Sequence, residues 1–116
     1  SSNQEGAISF SRCLAGRVSF CKVDRTGRIN STNNYGINAG TYSLVLATNN
    51  DISNITGGRG INVAIQCFET SRVHSLNNTG SNNSVGLRAV AGTIMKSGSQ
   101  PSGTTAEVAG SGGVIR

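Results

Sequence analysis

Ser31-Thr32-Asn33-Asn34-Tyr35-Gly36-Ile37-Asn38-Ala39 recurs as Ser81-Asn82-Asn83-Ser84-Val85-Gly86-Leu87-Arg88-Ala89. Between the two copies stands Gly57-Gly58-Arg59-Gly60-Ile61-Asn62-Val63, and Gly6-Ala7-Ile8-Ser9-Phe10 is a weaker fourth copy. The shared core is a Gly, an Ile or Leu, a polar residue, then Ala or Val. Its glycines, Gly36, Gly60 and Gly86, are 24 and 26 residues apart. A regular period of roughly 20 to 50 residues marks a stacked architecture, in which each repeat buries its apolar face against the next. Ile37-Asn38-Ala39 and Ile61-Asn62-Val63 alternate with the period of a strand that has one buried face.

A second series runs through the gaps: Gly16-Arg17-Val18, Ser43-Leu44-Val45, Ser71-Arg72-Val73 and Gly92-Thr93-Ile94. A third β-branched position, Ile29 or Ile52 and Ile55, precedes the next turn. The pairs Asn33-Asn34, Asn49-Asn50, Asn77-Asn78 and Asn82-Asn83 fall between strands, and Asn suits tight corners because it tolerates left-handed backbone angles. Stacking would bring Ile37, Ile61 and Leu87 into one interior file and Val18, Val45, Val73 and Ile94 into another. The expected fold is all-β, a solenoid of about four coils over residues 1–98. Residues 99–116, rich in Gly and Ser, form a terminal cap or an oligomer contact.

Composition agrees with that reading. Asn, Ser, Thr and Gly make up nearly half of the 116 residues, and aromatic residues only 4%. Long helices are excluded by the abundance of Gly and the scarcity of strong helix formers. The longest aliphatic stretch, Leu44 to Ala47, is far short of the roughly 20 residues that a helical membrane span needs. The opening Ser1-Ser2-Asn3-Gln4-Glu5 is polar, so no signal peptide is expected in these residues. The net charge of +5 favours an acidic partner, but the Arg residues are scattered without interleaved aromatics, which argues against nucleic acid. Cys13, Cys21 and Cys67 contain no C-x-x-C pair and are odd in number, and so read as small apolar side chains rather than a disulfide framework.

The G-[IL]-x-[AV] steps with Asn-rich corners, from about Gly6 to Ser99, resemble the right-handed parallel β-helix of the pectin-lyase-like superfamily, including its bacteriophage tailspike members. The resemblance implies a virion tail or extracellular location, assembly as a homotrimer, and contact with bacterial surface polysaccharide. A structural, receptor-binding segment of a tailspike or fibre is the first reading. A lyase or glycoside hydrolase on the same fold is the second, and a secreted adhesin or pilus subunit built as a sandwich is the third. Fold alone does not choose among them.

The chemistry is sparse. Lyases of this superfamily hold calcium with clustered Asp residues, whereas the acids here are Glu5, Asp24, Asp51, Glu69 and Glu107, spread along the chain. No metal or cofactor is expected. Asp51 and Glu69 are the candidate carboxylate pair of a hydrolase, since they fall in successive repeats. His74, the single histidine, is expected to point outward next to Val73, without partners for a triad. Asn38, Asn62 and Arg88 share the outward position of the repeat and form a candidate glycan-binding stripe, with Tyr42 displayed in a turn. Phe10, Phe20 and Phe68 read as core or stacking residues.

Overall fold

A computed structural model describes residues 6–25 and 33–116. Ser1 to Glu5, Ile29 and the first two residues of the repeat at Ser31 lie outside the described residues. In chain order the strands are β1 (Gly6–Ser11), β2 (Gly16–Ser19), β3 (Lys22–Asp24), β4 (Asn34–Gly40), β5 (Leu44–Thr48) and β6 (Asp51–Ser53). There follow β7 (Asn62–Phe68), β8 (Arg72–Leu76), β9 (Val85–Val90), β10 (Thr93–Ser97), β11 (Thr105–Gly110) and β12 (Val114–Ile115).

The chain is all-β with parallel sheets. The first sheet is ordered β1-β4-β7-β9-β11, the second β12-β10-β8-β5-β2, and the third contains β3 and β6. Each pass of the chain therefore adds one strand to the first sheet and the next to the second. Five strands stand in each large sheet, against the expected four repeats. Residues 99–116 contribute β11 and β12, paired in register with β9 and β10.

Register corrects part of the expected interior. The first file is Ile8, Ile37, Ile65, Leu87 and Glu107, so Ile65 and not Ile61 stands beside Ile37. The Gly-Gly-Arg-Gly stretch lies ahead of β7, where the Asn62 side chain accepts from the Gly58 amide at 2.6 Å and donates to its carbonyl at 2.9 Å. Ile61 N–H donates to Asn33 Oδ1 at 2.7 Å, and a Cβ on Gly60 would come within 2.0 Å of that oxygen. Gly60 thus permits a close approach and starts no strand. The true counterpart of Gly36 is Ala64, whose carbonyl oxygen would lie 2.7 Å from a Cβ on Gly36.

The second file holds Val45, Val73 and Ile94 as expected and continues to Ile115, but Val18 pairs with Ala47, and Gly16 takes the place beside Val45. Volume explains the exchange. Phe10 leans into the room that a side chain at 16 would need, within 2.7 Å of a Cβ built there. Ile52 and Ile55 are fully buried, and Val23 pairs with Ile52 in the third sheet.

The Asn-rich corners carry more than turn geometry. Phe20, Asn49, Asn77 and Gly98 occupy one corner, each with positive φ. The residues after Asn49 and Asn77 turn inward. Asn50 Oδ1 accepts from the Cys21 amide at 3.0 Å, and Asn78 Oδ1 accepts from the Asn50 amide at 2.9 Å. Asn78 Nδ2 donates to the Ala47 carbonyl at 2.9 Å and to Ser75 Oγ at 2.8 Å. Both Asn50 and Asn78 are buried, so this ladder satisfies backbone groups that the corner takes away from strand pairing.

Candidate functional site

The expected glycan-binding stripe is rearranged. Asn38 stands beside Gln66, and Gln66 beside Arg88. Asn62 is buried in its own turn and leaves the stripe. Gln66 is buried too, and Arg88 Nη1 donates to its Oε1 at 3.3 Å. A file whose middle member is covered offers little to a ligand. Tyr42 is displayed as expected, 65% exposed at a corner.

Asp51 and Glu69 are not brought together. Asp51 begins β6, half-buried, and Oδ1 accepts from Ser53 Oγ at 2.9 Å. Glu69 is exposed at the corner after β7, where Oε1 accepts from Thr41 Oγ1 at 3.2 Å. Asp51 bridges to Thr79, beyond the far end of β8, so the two acids flank a five-residue strand from opposite ends. That separation is roughly 16 Å at 3.3 Å per residue. A glycosidase pair needs about 5 to 9.5 Å.

Among the described residues no group of three His, Cys, Asp or Glu could hold a metal ion. No helix among them is long and apolar enough to cross a membrane. The three cysteines are free thiols. Cys67 is fully buried, with Sγ donating to the Ser71 carbonyl at 3.2 Å, and burial pushes its thiol up to about 11. Cys13 and Cys21 are half-buried.

Two recesses among the described residues have volumes of about 400 Å³ or more. The first, of about 400 Å³, lies at the corner after β2 and β5 and is lined by Phe20, Lys22, Asn49, Asp51, Asn77 and Thr79 among others. Phe20, expected as a core or stacking residue, is instead 80% exposed, at φ 55°. Its register partners are Asn and Gly, residues that reach positive φ cheaply, whereas for Phe the left-handed region costs about 1 to 2 kcal/mol. The error follows from Val18: aligning Val18 with Val45 carries Phe20 inward, and shifting by two residues carries it to the corner.

The second recess, of about 430 Å³, is a groove on the outer face of the second sheet. Arg17, Leu46, His74 and Met95 form one row across its strands, and Leu44, Arg72, Thr93 and Val114 the next. His74 is exposed on this face, outward as its position beside Val73 implied. No family model, curated protein or solved structure matches the chain.

Proposed function

We propose that the chain is a parallel β-helix segment of a host-attachment spike or fibre that binds surface glycan without transforming it. The observation that carries the reading is Phe20, an exposed aromatic ring held in left-handed backbone where neighbouring repeats place Asn or Gly. Positive φ recurs at other corner residues such as Arg12, Thr41 and Glu69, and what sets Phe20 apart is the large exposed ring that lines a recess. A ring beside the amides of Asn49 and Asn77, the Lys22 ammonium and the Asp51 carboxylate combines a stacking face for a pyranose with hydrogen-bonding groups for its hydroxyls. In-register parallel pairing of all the strands supports the β-helix over the sandwich of an adhesin. The separation of Asp51 from Glu69 favours binding over hydrolysis.

Homotrimer assembly belongs to the same reading, supported by Val114, 43% exposed at the end of the second sheet. Sedimentation equilibrium that returns a monomer at all concentrations would remove it. For the site, bacterial surface polysaccharide fragments are titrated against the full chain and its Phe20→Asn variant. Binding is expected for the first and a loss of at least tenfold for the second, with no new reducing or unsaturated ends. Release of such ends, abolished by Asp51→Asn or Glu69→Gln, would establish the enzyme instead.

A further inference from the structure

We infer that the groove on the outer face of the second sheet binds a single-chain anionic amphiphile of the fatty-acid type. This site is separate from the Phe20 corner. Its apolar side chains are Leu44 and Leu46 on β5 and Met95 two strands away on β10, with Leu44 48% exposed. Its edge is basic. Arg17 and His74 flank Leu46, and Arg72 stands beside Leu44. Among the described residues no Asp or Glu lines the groove. An anionic head group meets two guanidinium groups and an imidazole, and the alkyl chain meets the leucines and the methionine.

The dimensions suit one chain. Arg17 and Met95 lie three strand spacings apart in register, about 14 Å at 4.8 Å per spacing, room for an extended medium-length alkyl chain. A volume of about 430 Å³ falls within the small-ligand range of roughly 300 to 1,000 Å³. An acidic oligosaccharide fits less well, since no aromatic ring lines this groove to stack on a sugar. A second copy of the chain would bring like charges face to face.

The sequence supplies its own probes, because His74 and Met95 are its single histidine and single methionine. The labelled full chain is titrated with sodium decanoate below its critical micelle concentration, and the His74 ring and Met95 methyl NMR signals are followed. Both are expected to shift saturably and together. Arg72→Gln and Leu46→Ser are each expected to weaken the affinity at least tenfold, with the circular dichroism of the parent chain retained. Decyl maltoside, which keeps the chain and lacks the charge, is expected to leave both signals in place. Absence of a saturable shift in the unsubstituted chain would overturn the proposal. Equal shifts with decyl maltoside would do so as well, as would a uronate oligosaccharide that moves these signals when decanoate does not.

Discussion

Lys96 Nζ and Glu107 Oε2 form an ion pair at positions that earlier repeats give to the core. Glu107 continues the file of Ile8, Ile37, Ile65 and Leu87, and Lys96 that of Val18, Ala47 and Ser75. Their strands, β10 and β11, lie at the same end of the two large sheets, and β11 is an edge strand. Inward-pointing charge is one way in which proteins blunt an edge against further pairing.

Replacing the pair with apolar residues, Lys96→Ala with Glu107→Leu, is therefore expected to promote end-to-end association. Sedimentation velocity should show larger species that grow with concentration. The unfolding free energy should move by no more than about 1 kcal/mol, because a pair this exposed is screened by solvent. Unchanged sedimentation would mean that the charges do not guard this end.

The corrected register gives a sharp pair of substitutions. Ile65→Ala should cost about 2 to 5 kcal/mol in urea unfolding, since Ile65 is fully buried between Ile37 and Leu87. Ile61→Ala, at a half-buried position ahead of β7, should cost clearly less. Equal losses would restore Ile61 to the interior file.

The Asn ladder separates two neighbouring amides of identical chemistry. Asn78→Ala leaves the Asn50 amide without its acceptor and the Ala47 carbonyl without its side-chain donor. At about 1 to 3 kcal/mol for each buried group left unpaired, a loss near 3 kcal/mol is expected. Asn77→Gly, exposed and at φ 53°, should change stability by only a few tenths. Thermal unfolding of the two variants side by side reads the difference.

The Cys67 thiol sets an alkaline limit. Its folded value of about 11 lies above the ordinary thiol value of 9.0, because burial opposes the thiolate. Below pH 9 the thiol is protonated in both states and takes nothing from stability. Above 9 the unfolded chain ionises first, so stability falls through pH 9 to 11, by at most about 3 kcal/mol. Cys67→Ala should flatten that alkaline decline relative to the parent chain, and pH-dependent urea melts would measure it.

Phe20→Asn should stabilise the chain by about 1 kcal/mol, by removing a bulky residue from left-handed backbone. The same substitution is the one expected to lose glycan. Stability gained together with binding lost would separate display from packing, and a destabilised variant would return Phe20 to a packing role.

The sequence by itself determined that the chain is all-β, because its period-two alternation and Gly-rich, Asn-rich punctuation leave no room for helices. It also carried the file of Val45, Val73 and Ile94, the equivalence of Gly36 and Gly86, and the outward setting of His74 and Tyr42. These features are local, each stated within a few residues. Tertiary structure alone decided that Ile65 and not Ile61 faces Ile37, although Gly60-Ile61-Asn62-Val63 copies the repeat better than Ala64-Ile65-Gln66-Cys67 does. It alone decided that Phe10 fills the space beside Gly16, that Phe20 is displayed, and that Arg17, Leu46, His74 and Met95 share one row. In a parallel sheet, register is set by hydrogen bonds and shared volume between segments that lie 20 or more residues apart. Asn33 reaching Ile61 is an interaction of that range, and no pattern confined to one repeat contains it.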